Sequence, residues 1–500
     1  MLRRKRRPVK AYAPTIPTPP PSGVLPFDMP NMSSSPKKVL AHWHYFPVSL
    51  DNLAPATDYW ATNWMRLDGV GSATHFGGRV RDRPRINGTP PLPGDWKRAN
   101  CLKEIEDAIS VGVDGFFMNT GWLTYPPADG GGWPLLHHDA MIDAATDHPG
   151  FLVVPMVDCI ILGAVNVTNL AARIAVYHGK ASTWMDGGTM IVGVFYTQVN
   201  TPAYWDSLAA TLLANHGITA KFVHVYSAAT AASTYASKAY ATGVWGPKAD
   251  AGIPLGSTSP SVSSVHGRGE KFLSPVWISD ERPESGVWNE SLNTTTLRNY
   301  WTEVINQAAP NNADIVQLCT WQDYSEGSEF GDSILKGMVA ADISAYYLVR
   351  WKTGSFPAIV RDALYLSYRN HTSTASRLGA QSQTMAKWTT PGTPTRFAVE
   401  ALTFLTAPAD VTVTIAGTTT TFTNVPAGLQ VNTVLVTTTG NVSGTIRRAG
   451  TTIVNLPCPI PIRSSLWNDS WRYCMFGSLR GTAGQFDCQM TSSNTIPTYP

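Results

Sequence analysis

Through most of the chain, short apolar runs alternate with longer segments whose apolar positions recur every three to four residues. Residues 39–45 form the first run and end in polar and aromatic side chains. Leu102, Ile105, Ala108 and Ile109 then repeat at helical spacing ahead of a run at 113–119. The alternation continues with a helix around 139–146, a strand at 151–158, a helix at 167–178 and a strand at 190–196. Next come a helix at 203–215, a strand at 221–226 and, after a short helix, the brief run 243–245. Strands at 272–277 and 315–318, with helices at 292–307 and 333–349, complete the series. Eight strand–helix units between Lys38 and about Asn370 predict a (β/α)8 TIM barrel with insertions.

Past Thr390 the period changes to two. Residues 397–404, 411–415, 418–422, 431–438 and 445–448 are rich in Val and Thr and are separated by Gly, Asn and Pro turns. That pattern predicts a C-terminal antiparallel β-sandwich domain. The division expected from the sequence is a basic, Pro-rich tail at 1–36, a barrel at 37–378, the sandwich at 390–456 and an irregular extension at 457–500.

Composition narrows the function. With 43% hydrophobic and 15% charged residues, the chain can bury large cores and does not resemble a disordered or nucleic-acid-coating protein. Much of the net charge of +3 sits in Arg3–Arg7, so the folded part is nearly neutral and suits an uncharged substrate. No stretch reaches the ~18 apolar residues of a membrane span. The basic cluster is followed by Pro14, Pro17 and Pro19–Pro21, not by an apolar segment, so no signal peptide is expected. Cys101, Cys159 and Cys319 read as core residues, whereas Cys458, Cys474 and Cys488 leave room for one disulfide. Neither C-x-x-C nor H-E-x-x-H spacing occurs, so neither metal nor other cofactor is expected.

The candidate chemistry lies where the strands end. His42, His44, Asn119, Asp158, Tyr196, His224, Trp245 and Trp277 close successive runs, and the last run opens into a loop carrying Asp323 and Glu326. In a barrel all of these converge on the C-terminal face. Singly, each has a plainer reading as a cap on loop backbone groups, and the acidic loop reads equally as a solvated turn after a core strand. Together they make a site. Two carboxyl groups in different surroundings can cleave a glycosidic bond, one donating a proton and the other activating water or attacking the sugar. Trp321 and Tyr324 would offer flat faces to a pyranose, Asp158 competes for either carboxylate role, and Glu329 and Asp332 follow in the same loop.

These motifs resemble those of glycoside hydrolase family 71, the α-1,3-glucanases or mutanases. Val39-Leu40-Ala41-His42 is similar to the family's V-x-A-H strand, and residues 112–119 to its G-I-D-x-F-x-L-N. Met156-Val157-Asp158 stands where the family has S-F-D, and residues 273–277 resemble V-S-P-W. Residues 320–327 resemble T-W-N-D-Y-G-E-S, with Gln322 in place of Asn and the residues around Glu326 altered. The resemblance implies endo-hydrolysis of α-1,3-linked glucan, with inversion and without a metal, and gives Asp323 and Glu326 the catalytic positions. Glu326 is the expected acid and Asp323 the expected base; aromatic and apolar surroundings would raise the acid's pKa. His42, His44, Asn119, Tyr196, His224, Trp245, Trp277, Trp321 and Tyr324 are the expected substrate-binding residues.

Relatives of this kind are usually secreted, and this sequence shows no export signal. The expected setting is a bacteriophage virion tail, otherwise an extracellular or cell-surface location. There the two terminal extensions would meet other tail proteins and the barrel a host polysaccharide. The competing expectations are a non-catalytic carbohydrate-binding tail protein that keeps the barrel, and a structural subunit that touches no sugar.

Overall fold

The computed structural model describes residues 23–44, 82, 84–85, 96–121, 133–227, 235, 239–245, 262–282, 287–307, 312–324, 326–377, 389–390, 393–466 and 473–485. Eight parallel strands close into a barrel. They are β1 (Lys38–Trp43), β2 (Gly115–Thr120), β3 (Leu152–Asp158), β4 (Thr189–Phe195), β5 (Ala220–Tyr226), β6 (Ala239–Val244), β7 (Lys271–Trp277) and β8 (Ile315–Cys319). Their hydrogen-bonded order runs β3-β2-β1-β8-β7-β6-β5-β4, and β4 pairs with β3 to close the circle. Every strand expected from the sequence is present.

Helices α1 (Trp96–Ser110), α2 (Trp133–Ala144), α3 (Val167–Ala175), α4 (Pro202–His216), α5 (Thr295–Asn306) and α6 (Val339–Thr353) accompany the strands. Because helices cover them, the strands are buried on both faces and consist of near-continuous apolar runs. Burying each Val, Leu or Phe of this core contributes about 1.5–3 kcal/mol. Inside the barrel, Phe117, Met156 and Gly193 share one level; a Cβ on Gly193 would stand 3.0 Å from both Phe117 and Met156.

After α6 the chain builds two four-stranded antiparallel sheets. The first, in order β13-β10-β9-β16, takes β9 (Ala363–Arg369), β10 (Ala398–Leu405), β13 (Gly428–Leu435) and β16 (Tyr473–Gly477). The second, in order β12-β11-β14-β15, takes β11 (Ala409–Ile415), β12 (Thr418–Val425), β14 (Val442–Arg448) and β15 (Thr451–Pro457). Leu364, Leu366, Val399 and Ala401 share a core with Val411, Val413 and Ile446 of the second sheet. Ala363, Tyr365, Leu402 and Phe404, at the alternate positions, belong to the barrel's core. The first sheet is therefore a middle layer, apolar on both sides.

This layering departs from the expected boundaries at two places. Residues 363–369, read with the barrel, are the centre of the first sheet, and residues 473–477, read as irregular, are its edge. Residues 23–36 are likewise docked, although they were expected to belong to the tail. Leu25 and Phe27 are buried, Pro26 O accepts from the Val360 and Arg361 amides, and Asp28 pairs with Arg361. Two apolar anchors are enough to tie a Pro-rich segment down. The rest of the expected tail (1–22), Trp467 and Trp471 of the extension, and its end (486–500) lie outside the described residues. Cys458 carries a free thiol, which burial pushes up to about 12, and Cys474 is buried in the same core; Cys488 lies outside the described residues. Among the described residues no helix is long and apolar enough to cross a membrane.

Candidate active site

Four adjacent strands, β8, β1, β2 and β3, send one polar side chain each into the top of the barrel: Gln317, His42, Asn119 and Asp158. Asn119 Nδ2 lies 2.8 Å from Asp158 Oδ2 and 3.2 Å from His42 Nε2, and His42 Nδ1 lies 3.3 Å from the Gln317 amide. Asp158 ends β3 and caps the short helix Cys159–Leu162, its Oδ1 accepting from the Ile160 and Ile161 amides at 2.9 and 3.1 Å. A carboxylate already holding three hydrogen bonds is built as an acceptor. Burial, with His44 beside it, pushes His42 well below its ordinary range, so the imidazole is neutral.

The carboxylates of the last loop stand beside this row. Asp323 Oδ1 accepts from the Glu326 amide at 3.1 Å, and Oδ2 faces His44 Nε2 at 3.4 Å. The Asp323 amide is itself tied to Thr320 Oγ1, at 2.9 Å. Asp323 is buried and Glu326 half-buried. Burial, with the charge of Glu326 adding to it, raises the Cys319 thiol at the end of β8. Gly327, in the left-handed region at φ 69°, follows Glu326 directly, and its carbonyl accepts from Ser279 Oγ at 2.7 Å and Lys336 Nζ at 2.5 Å. Two donors thus hold the backbone on which Glu326 stands.

Aromatic rings close the opposite side. His42 meets Phe195 and Trp245 edge-on at centroid distances of 5.2 and 4.8 Å, and Trp245 meets Trp277 at 5.5 Å. Tyr196, next to Phe195, takes φ 56°, an uncommon conformation for a non-glycine residue, at the strand end. Rings in this arrangement present C–H edges and faces of the kind a pyranose packs against.

The structure therefore brings together His42, His44, Asn119, Asp158, Tyr196, Trp245, Trp277, Asp323 and Glu326. It places three expected sugar contacts elsewhere. Trp321 is fully buried behind the barrel wall against Phe116, with its indole N–H donating to Glu104 of α1. Tyr324 is fully buried, its hydroxyl donating to the Asp332 carbonyl at 3.3 Å. His224 is buried against Thr197 Oγ1 and Trp205, and burial lowers it to about 3. The loop doubles back after β8, which swings Trp321 and Tyr324 toward the helix layer.

The doubling back also explains the other acids of the loop. Glu329 pairs with Lys336 at 2.9 Å, both side chains being buried, and Asp332 pairs with Arg85 at 3.0 Å. Asp82 accepts from the Leu335 amide at 3.0 Å and lies against Glu329; burial and that neighbour push its carboxyl well up. Burial raises Glu104 to about 8. These groups clamp the loop from below. Sequence reasoning missed Gln317, Phe195, Glu104 and Lys336. A lone Gln inside an apolar strand was the one signal available, since such a residue needs a buried partner.

The model of glycosyl hydrolase family 71 matches residues 93–468. Glucan endo-1,3-alpha-glucosidase agn1 of Schizosaccharomyces pombe is 25% identical over 390 residues, covering 71% of this chain and 85% of that protein. Among solved structures, the GH99 endo-alpha-mannosidase of Bacteroides thetaiotaomicron aligns over 63% of this chain and 98% of its own, with TM-score 0.47 and 13% identity. The beta-glucuronidase of Parabacteroides merdae aligns over 70% and 44%, with TM-score 0.38 and 11% identity.

Proposed function

The chain belongs to glycosyl hydrolase family 71, and from that premise we propose that it hydrolyses α-1,3-linked glucan or a closely related polysaccharide. The observation that carries the reading is the pair Asp323 and Glu326, held on one pinned loop at the C-terminal end of the last barrel strand. The curated relative, named a glucan endo-1,3-alpha-glucosidase, supports the linkage.

In this mechanism Glu326 gives a proton to the glycosidic oxygen. Asp323, held by the Glu326 amide and facing His44, takes a proton from the attacking water. Water attacks the anomeric carbon as the bond to the leaving sugar breaks, and the configuration inverts. Asp158 accepts a hydrogen bond from a sugar hydroxyl, and the rings of Phe195, Tyr196, Trp245 and Trp277 flank the pyranose. The setting we propose is a virion tail or cell surface, where such an activity would trim a host glycan.

The test is reducing-sugar release from insoluble α-1,3-glucan, with α-1,4-glucan and bacterial cell walls alongside. Wild type is compared with Asp323→Asn and Glu326→Gln. The expected result is release from the α-1,3-linked polymer and a loss of about 10²–10⁴-fold in each variant, with sedimentation onto the polymer retained. Binding without release by wild type would replace this reading with a carbohydrate-binding protein.

A further inference from the structure

The row Gln317–His42–Asn119–Asp158 crosses four neighbouring barrel strands, and all three of its contacts are satisfied in one direction only. A carboxylate oxygen accepts, so the Asn119 atom 2.8 Å from Asp158 Oδ2 must be the amide nitrogen. Turning that amide over would set oxygen against oxygen. The same nitrogen lies 3.2 Å from His42 Nε2 and spends its second hydrogen there, so Nε2 is the bare ring nitrogen. The neutral imidazole therefore carries its proton on Nδ1. Nδ1–H points at the Gln317 amide, 3.3 Å away. With Gln317 Nε2 in that place, donor would face donor while Gln317 Oε1 stayed buried with no partner among the described residues. Amide oxygen and nitrogen have the same shape, and turning Gln317 over replaces the clash with an accepted hydrogen bond, giving up the weak 3.8 Å contact of Gln317 Nε2 with Met156 Sδ.

We infer that Gln317 and His42 are positioning residues: Gln317 Oε1 holds His42 as the Nδ1–H tautomer, and His42 Nε2 in turn holds Asn119 with its amide nitrogen on Asp158. The inference rests on the reading of this barrel face as the sugar site. Neither residue needs to touch the sugar. Their effect is to fix the plane of the Asp158 carboxylate, whose other oxygen is held by the Ile160 and Ile161 amides. An Nε2–H tautomer would instead oppose the Asn119 amide and drive it off one of its two acceptors.

Nitrogen NMR of the full-length protein labelled at histidine reports the tautomer directly, with His42 assigned by its disappearance in His42→Asn. The expected signature is a protonated Nδ1 and a bare Nε2. A protonated Nε2 in wild type overturns the proposal. Kinetics on a soluble α-1,3-gluco-oligosaccharide supply the second readout. Gln317→Leu removes the acceptor and is expected to lose the signature and about 10- to 100-fold in kcat, with a smaller change in KM. Gln317→Glu keeps an acceptor and is expected to restore the signature and part of kcat. Full activity in Gln317→Leu with a scrambled tautomer overturns the positioning role. A wild-type protein with the Nδ1–H signature that turns over no glucan supports the chain of bonds and sinks the hydrolase reading alone.

Discussion

His44, just past the end of the first barrel strand, sets its Nε2 3.4 Å from Oδ2 of Asp323, in the loop after the last strand. The contact joins the first barrel strand to the last, since β1 and β8 are hydrogen-bonded neighbours. It brings a nitrogen donor to the carboxylate assigned as the base, and it exists only because the barrel is shut.

Removing that donor is expected to slow turnover without unfolding the protein. His44→Phe keeps the ring and loses the contact; a lost interaction of about 1.4 kcal/mol at the transition state is about 10-fold in kcat. His44→Gln, which can still donate, should recover part of the loss. Steady-state kinetics of the two variants decide it: equal rates for wild type and His44→Phe would assign the contact no part in turnover.

Lys336 holds the loop through Gly327 O and Glu329, at 2.5 and 2.9 Å, inside a buried site. Lys336→Met leaves the Glu329 charge without its cation and is expected to cost about 3–5 kcal/mol of stability. Adding Glu329→Leu removes the stranded charge and should return a large part of that cost. Urea unfolding of the single and double variants measures both, and a double variant no better than the single one refutes the pairing.

Glu104 titrates at about 8 in the folded protein because burial opposes its charge, and its ordinary value is 4.5. The folded state thus binds this proton more tightly than the unfolded state. The associated stability is complete below about pH 4.5, falls as pH rises, and is gone above about pH 8. Glu104→Gln removes this dependence and keeps an oxygen for the Trp321 indole N–H. The variant is expected to match wild type near pH 4 and to exceed it in Tm at pH 8–9, as thermal unfolding across that range would reveal.

A Cβ at Gly331 would stand 2.7 Å from the Trp321 carbonyl oxygen and 3.1 Å from its indole nitrogen. The backbone there is already tied, because the Gly331 amide donates to that carbonyl at 2.7 Å. Gly331→Ala is expected to lose about 1–3 kcal/mol and to shift the loop bearing both carboxylates. A lowered Tm together with lowered kcat on glucan is the expected pair of readings; unchanged values in both would show the loop to be adaptable.

The sequence by itself determined the barrel strands, because strands covered by helices must be apolar throughout and each such run is local. It also determined which residues reach the strand ends, since alternation and parallel order place His42, Asn119, Asp158 and the Asp323–Glu326 loop on one face. Tertiary structure decided what those residues do there. Trp321 and Tyr324 sit one and four residues past Thr320, as close to the site in sequence as Asp323, yet the loop's return folds them into the helix layer. Glu329 and Asp332 are acids like Glu326, but Lys336 and Arg85 reach them from other parts of the chain and occupy them. Gln317 has no legible role in its own strand, because the partner that gives it one, His42, comes from the other end of the barrel sequence. A side chain's chemistry is set by the atoms within about 3–4 Å of it, and around a closed barrel those atoms come from strands far apart in the chain.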